Sequence, residues 1–143
     1  MNNIVNIRQI AFLASSKMSS ESIMRCYDWA TEISRQDVVV VSGFSSQLEK
    51  DVLHFLLKGV CHIKLVLART PYKNTPKEYL EYVADGRMEI VSVSDLSRQT
   101  KDSAHHRNQL IASEADEIVF ASLQKDSSLY DIYTRFSDKA ILL

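Results

Sequence analysis

Two segments of this chain are rich in basic residues, although the whole chain carries a net charge of −1. Residues 69–77 contain three basic residues and no acid, and residues 98–107 contain three basic residues and one acid. The charge is carried by Arg69, Lys73, Lys77, Arg98, Lys101 and Arg107. Guanidinium and ammonium groups that converge on one place bind phosphate. If the fold brings the two segments together, the sequence predicts a site for a nucleotide-type anion.

A polar turn follows the valine run of residues 38–41. It consists of Ser42, Gly43, Phe44, Ser45, Ser46 and Gln47. A glycine directly after a buried strand permits a sharp turn or the close approach of a ligand to the backbone. The hydroxyl groups, the amide and the N–H groups at the start of the next helix suit phosphate or ribose oxygens. Phe44 and Tyr72 lie on loops where a ring can stack on a base, with core packing as the alternative.

The glycine count excludes two common classes of nucleotide-binding protein. The chain has three glycines, and the closest two, Gly43 and Gly59, are 16 residues apart. Neither a GxGxxG fingerprint nor a Walker A loop can therefore be present. The sequence also lacks the GxSxG motif of an α/β-hydrolase, so it gives no support to a hydrolase triad.

No metal site or cofactor is predicted from the cysteines and histidines. Cys26 and Cys61 are 35 residues apart, without a CxxC motif, and are expected to be buried reduced thiols. His105 and His106 are adjacent, so on a helix their side chains point about 100° apart and cannot easily share one metal ion.

Length and composition predict one globular domain over residues 1–143, with 45% hydrophobic and 24% charged residues. The balanced charge excludes a strongly basic nucleic-acid domain of the histone or ribosomal kind. Residues 1–9 lack the pattern of a signal peptide, and no apolar run is long enough to span a membrane. We therefore expect a cytoplasmic protein without a membrane partner.

Apolar runs of strand length alternate with helical patterns along the chain. We predict strands at residues 7–14, 38–41, 63–68, 88–93, 117–121 and 140–143. One helix is expected to have Thr75 as its N-cap and Pro76 as its first residue, and another to cover residues 103–114. The pattern predicts an α/β fold: a single Rossmann-like, doubly wound, mostly parallel sheet of about five to six strands, with helices on both faces. Ligands of such sheets bind beyond the carboxyl ends of the strands.

The segments Ser42-Gly43-Phe44-Ser45-Ser46-Gln47-Leu48-Glu49-Lys50 and Arg107-Asn108-Gln109-Leu110-Ile111 resemble the DprA/Smf family of DNA-processing proteins. More broadly, the chain is similar to the Rossmann-like (SLOG) superfamily that also holds the LOG cytokinin-activating enzymes and the molybdenum-cofactor carrier-like proteins. Ser42 and Gly43 match the family's SG turn, and Arg107 and Asn108 match its RN pair, which opens a helix. Ala68-Arg69 resembles a pair found in short members, and Ser16-Lys17 stands where the family often has Ser-Arg.

The resemblance implies a ligand site that includes Ser16, Lys17, Ser42, Gly43, Arg69, Arg107 and Asn108, with Glu49 as the family's acidic residue after the SG turn. The chain also departs from the family. Full-length DprA proteins have flanking domains that are not found in these residues. The PGGxGTxxE stretch of the LOG enzymes would fall near residues 122–131, which read SLQKDSSLYD without a glycine.

Three hypotheses follow. The preferred one is a DprA-like domain that binds single-stranded DNA or a nucleotide on its basic edge without catalysis. The second is an enzyme acting on a nucleotide-derived metabolite, such as a LOG-like phosphoribohydrolase, in which Glu49 is the acid or base and Ser42, Arg107 and Asn108 hold phosphate or ribose. The third is a protein-interaction module that forms a homodimer through a sheet edge or helix faces.

Overall fold

A six-stranded parallel sheet is the centre of the protein, in a computed structural model that describes residues 7–15 and 19–143. Its strands are β1 (Gln9–Ala14), β2 (Val39–Ser42), β3 (His62–Leu67), β4 (Met88–Ser92), β5 (Glu117–Ala121) and β6 (Ala140–Leu142). They lie in the order β4-β3-β2-β1-β5-β6, and all pairings are parallel. The predicted Rossmann-like α/β fold is confirmed.

Helices cover both faces of the sheet. They are α1 (Ser20–Ser34), α2 (Gln47–Leu57), α3 (Lys77–Ala84), α4 (Lys101–Glu114) and α5 (Ser128–Arg135). Alternate residues of β1 enter two separate hydrophobic clusters: Phe12 packs on the side of α1 and α2, whereas Leu13 packs on the side of α4 and α5. Since both faces are buried, the strands read as nearly continuous apolar runs.

The path of the chain explains how distant residues meet at one edge. The first four strands are laid down side by side, with α1, α2 and α3 as their connections. Helix α4 then returns across the opposite face to β5, which pairs with β1. Because all strands are parallel, the loops after β2, β3 and β4 lie at the same carboxyl edge. This is where the two basic segments were expected to converge.

Two helix starts differ from the predictions. The predicted N-cap at Thr75 is wrong: Pro76 is the N-cap residue, and α3 begins at Lys77 without a side-chain cap. Pro76 has φ −52° and ψ 140°, so its extended backbone delays the helix by one residue. Helix α4 begins two residues earlier than predicted, because Thr100 and Ser103 form a reciprocal capping pair.

Both cysteines are buried free thiols, as predicted. Burial raises the pKa of Cys26 to about 11 and also raises the pKa of Cys61, so both are poor nucleophiles at neutral pH. None of the described helices is long and apolar enough to cross a membrane.

Candidate anion-binding site

Arg107 reaches from α4 to the turn after β2 and packs closely against Gly43. The arginine is only 2% exposed. A Cβ placed on Gly43 would lie 2.3 Å from both Cζ and Nη1 of Arg107, a distance that real Cβ atoms do not tolerate. A larger residue at this position would force the guanidinium to shift, because it lies directly against the backbone of Gly43.

Among the described residues, the guanidinium of Arg107 is bonded to neutral acceptors. Its Nε donates to Oδ1 of Asn108 at 3.1 Å, its Nη1 to Oε1 of Gln99 at 3.0 Å, and its Nη2 to Oγ of Ser45 at 3.4 Å. Burial lowers the pKa of Arg107, and the nearby charge of Glu49 opposes that effect. An arginine nevertheless stays protonated in proteins. The ion pairs among the described residues lie elsewhere, on the surface, so this buried positive charge has no carboxylate in direct contact.

These bonds turn Ser45 and Gln99 into donors for a ligand. The Ser45 hydroxyl accepts from Arg107, so its own hydrogen is left for another acceptor. The oxygen of the Gln99 amide is likewise occupied, which leaves its NH₂ group as the free end. Both residues line a cavity beyond the ends of β2 and β3. A buried cation thus polarises two neutral side chains towards that cavity.

The cavity, which we call the phosphate cavity, has a volume of about 190 Å³. It is lined by Gly43, Phe44, Ser45, Lys50, Leu65, Leu67, Arg69, Tyr72, Tyr79 and Gln99. Arg69 donates through Nε to the carbonyl of Thr70 at 3.0 Å, and its Cζ lies 5.4 Å from the Tyr72 ring centre. Within residues 7–15 and 19–143, nothing bonds to the terminal amino groups of Arg69 or to Nζ of Lys50. The cavity is therefore rich in unused donors.

Two tyrosine rings form an aromatic wall of the phosphate cavity. Tyr72 lies under the guanidinium of Arg69, and Tyr79 comes from the first turn of α3. Burial raises the pKa of Tyr79, and the nearby Tyr72 and Glu78 raise it further, so its hydroxyl remains a neutral donor at neutral pH. Rings beside cationic donors suit a ligand that combines a flat base with a phosphate.

The N-terminus of α2 is already occupied by a carboxylate of the protein itself. Glu49 is 4% exposed, and its Oε1 accepts from the backbone N–H groups of Ser45 at 3.0 Å and Ser46 at 3.1 Å. Its Oε2 accepts from the N–H of Ala14 at 3.1 Å, at the end of β1. The Ser46 hydroxyl completes a capping box by accepting from the N–H of Glu49. Contrary to expectation, these N–H groups do not face a ligand.

The remaining predicted residues lie in different environments. Ser42 is fully buried, and its Oγ accepts from the N–H of Phe44 at 3.1 Å. Phe44 packs in the core and has φ 44°, so core packing, the alternative to base stacking, is its observed role. Gln47 donates to Asp51 and lies outside the phosphate cavity, whereas Asn108 orients Arg107. Ser16 and Lys17 lie outside the described residues.

Three polar residues of the phosphate cavity were not predicted from the sequence: Lys50, Tyr79 and Gln99. Lys50 was visible as the last residue of the DprA-like string, one helical turn after Gln47. Tyr79 was assigned to the core because of its helical spacing. Gln99 lies in a polar connection and becomes significant only through its bond to the distant Arg107. No group of three or more metal-ligating side chains is brought together in the part of the chain that the structure describes.

No protein-family model matches this chain, and neither does any curated protein sequence. Solved structures do share its fold. DNA processing protein A (DprA) from Streptococcus pneumoniae matches with a TM-score of 0.73 at 14% identity, over 98% of this chain and 51% of that one. DprA from Helicobacter pylori, whose structure is described as giving insight into its single-stranded DNA binding mode, matches with a TM-score of 0.71 at 14% identity, over 94% of this chain and 64% of that one.

The molybdenum cofactor binding protein from Rippkaea orientalis also matches, with a TM-score of 0.67 at 12% identity, over 95% of this chain and 76% of that one. The chain thus spans about half of the first DprA protein and less than two thirds of the second. At these identities the likeness is one of fold. The resemblance to the fold of DprA and molybdenum-cofactor carrier proteins, predicted from the SG turn and the RN pair, is confirmed.

Proposed function

We propose that this protein binds single-stranded DNA and holds a backbone phosphate in the phosphate cavity, without catalysing a reaction. The observation that carries the proposal is the buried guanidinium of Arg107, whose partners in the described part of the chain are neutral, beside a cavity of unused donors. A buried charge that forms no ion pair is incompletely compensated, and the nearby Glu49 acts on Arg107 without direct contact. A bound phosphate at the cavity would add negative charge close to the guanidinium.

The donor set suits a phosphodiester. Arg69 and Lys50 offer full positive charges, while Ser45 and Gln99 offer neutral donors whose acceptor atoms are already taken. The ring of Tyr72 gives an adjacent base a surface on which to stack. Single-stranded DNA combines both features in every nucleotide, and the H. pylori fold relative is itself a single-stranded DNA binder by its description.

The size of the cavity favours a strand over an isolated nucleotide. Small-molecule sites usually measure about 300–1,000 Å³, whereas the phosphate cavity measures about 190 Å³. It can hold a phosphate with part of its nucleotide, and the rest must extend beyond it. A DNA strand meets this condition, because the nucleotides next to the bound phosphate lie outside the cavity in any case.

A small phosphorylated ligand is the second candidate. It is favoured by the net charge of −1, which gives no general attraction for long DNA. One fold relative binds the molybdenum cofactor, and this chain covers 76% of that protein's length. A hydrolase that uses Glu49 as its acid or base has less support, since three backbone N–H groups occupy both carboxylate oxygens.

Replacing Arg69 with alanine should weaken binding of a labelled oligothymidylate about tenfold, because two free donors and one charge are lost. The slope of log affinity against log salt should also fall by about 0.7, the value for one phosphate contact on a single strand. Fluorescence anisotropy at several salt concentrations measures both quantities.

Arg35→Ala is the matched control for Arg69→Ala. Arg35 is an exposed arginine at the far end of α1, and it forms an ion pair with the exposed Glu32. Its removal should leave affinity and salt slope close to those of the wild type. Wild-type affinity in the Arg69 variant would contradict the proposal. Tight mononucleotide binding without DNA binding would favour the second candidate instead.

A further inference from the structure

A second, larger cavity of about 740 Å³ lies between α2 and α3, and we call it the α2–α3 groove. It exists because the two helices pack against different neighbours. Helix α2 packs on α1, whereas α3 packs mainly on β4, and none of the eight residues of α3 is fully buried. The face of α2 that points away from α1 is therefore left open.

The α2–α3 groove adjoins the phosphate cavity. Lys50 and Tyr79 line both spaces, one from each wall. From Lys50 the groove follows a single stripe of α2 through His54 to Lys58, at positions i, i+4 and i+8. At 1.5 Å of rise per residue this stripe is about 12 Å long. A chain molecule held in the phosphate cavity therefore has an adjoining channel.

The basic side chains of the α2–α3 groove are freer to contact a ligand than its acidic side chains. Lys50 and Lys58 are exposed and form no ion pair with any described residue. The carboxylate of Asp51, by contrast, accepts from the Tyr27 hydroxyl at 3.2 Å and from the amide of Gln47 at 2.9 Å. The groove also contains one exposed acid on α3. The Lys50–Lys58 stripe begins with a lysine that has no ion pair among the described residues and ends with one whose ammonium group lies 5.1 Å from the Phe55 ring centre.

The wall of the groove formed by α3 presents a tyrosine ring that is fixed in place. Tyr82 is half-buried, and the guanidinium of Arg87 lies 5.6 Å from its ring centre. Arg87 is itself held by hydrogen bonds to the carbonyls of Leu56 and Leu57 at the end of α2 and of Cys61 just before β3, so the ring is well supported. A ring held in this way can stack on a base with little loss of side-chain freedom.

We propose that the α2–α3 groove binds the nucleotides adjacent to the phosphate-bound one in the same DNA strand, with a base stacked on Tyr82 and a phosphate beside Lys58. This inference rests on the proposed function and adds a direction to it: the strand runs along α2 from the carboxyl edge of the sheet. At about 3.4 Å per nucleotide, the spacing along one strand of a duplex, the stripe accommodates at most three to four nucleotides.

The test compares a thymidine dinucleotide with an octanucleotide on the wild-type protein and on two variants, by competition anisotropy. An octanucleotide offers the protein more overlapping positions than a dinucleotide, and this alone raises its apparent affinity. In the wild type the octanucleotide should bind at least tenfold more tightly than this statistical gain predicts. In Tyr82→Leu and in Lys58→Gln this length-dependent gain should fall about tenfold and about threefold. Tyr130→Leu, a half-buried tyrosine on α5 of the other face, is the control.

The outcomes separate the two proposals. A wild type that binds both oligonucleotides without a length-dependent gain would overturn the groove and leave the phosphate cavity intact. A length-dependent gain that survives in both variants would overturn the groove proposal as well. Because Lys58 is exposed, Lys58→Gln still tests the proposal if Tyr82→Leu fails to fold. A wild type that binds neither oligonucleotide would overturn the proposed function together with the groove.

Discussion

Replacing Gly43 with alanine is expected to destabilise the fold by about 2–4 kcal/mol and to abolish measurable binding of single-stranded DNA. The added Cβ would lie 2.3 Å from Cζ and Nη1 of Arg107. This contact cannot be relieved by a small rotation, because the arginine is 2% exposed and its guanidinium is bonded on three sides. Displacing it would release Ser45 and Gln99, whose orientation defines the donors of the phosphate cavity.

Gly86→Ala is the control for this substitution. A Cβ at Gly86 would meet no atom within 4 Å, although its φ of +85° adds backbone strain. We expect a loss of about 1–2 kcal/mol in urea unfolding and unchanged DNA affinity. Similar losses of affinity in the Gly43 and Gly86 variants would mean that binding simply follows stability.

A double-mutant cycle identifies the clash directly. Arg107→Ala removes the group that the new Cβ would strike, so Gly43→Ala in that background should destabilise the protein by less than about 1 kcal/mol. Additive effects of the two substitutions would show that Gly43 is needed for another reason. The cycle requires only unfolding curves and is therefore independent of any ligand.

The sheet could be predicted from sequence because its strands are buried on both faces. The valines at 38–41 and the apolar run at 117–121 read as strands without help from tertiary structure. The short connections then required parallel pairing, and parallel pairing placed the loops after β2, β3 and β4 at one edge. The general position of the candidate site therefore followed from local patterns.

The environment of Arg107 could not be predicted in the same way. The buried stripe of α4 consists of Ser103, Arg107, Ile111 and Ala112, so half of it is polar. Hydrophobic periodicity finds helix faces that are apolar, and on α4 it identified only Leu110 and Ile111. The SG turn and the RN pair were both visible in sequence. Their contact could not be predicted, because the RN pair packs against the SG turn only through the return of α4 across the sheet.

The role of Glu49 was partly readable. Ser46 and Glu49 have the S-x-x-E spacing of a capping box, which predicts reciprocal bonds at the start of α2. Such a box occupies the N–H groups of the N-cap and N3 residues, two of those that otherwise bind a phosphate. The third bond, from the N–H of Ala14, joins this helix start to the end of β1 and is a tertiary contact between residues 35 positions apart. Local spacing carries no information about it.

Glu49→Gln should destabilise the protein by about 2–3 kcal/mol, although the substitution changes the shape of the side chain very little. The carboxylate receives three backbone N–H groups on two oxygens. An amide offers one oxygen, and its NH₂ would face at least one of these donors, leaving a buried N–H without an acceptor. The substitution also removes the negative charge near Arg107, which lowers the stability of that buried cation.

Urea unfolding and amide hydrogen exchange measure this prediction together. Exchange at Ala14, Ser45 and Ser46 should accelerate more than exchange in the centre of β5, because the bonds to Glu49 are lost locally. Glu32→Gln is the control: this glutamate is exposed, and its change should stay within about 0.5 kcal/mol. An enzyme that used Glu49 as its acid or base would instead keep its stability and lose turnover. An unchanged unfolding midpoint with unchanged exchange would therefore contradict the structural role, and would return Glu49 to consideration as a chemical group.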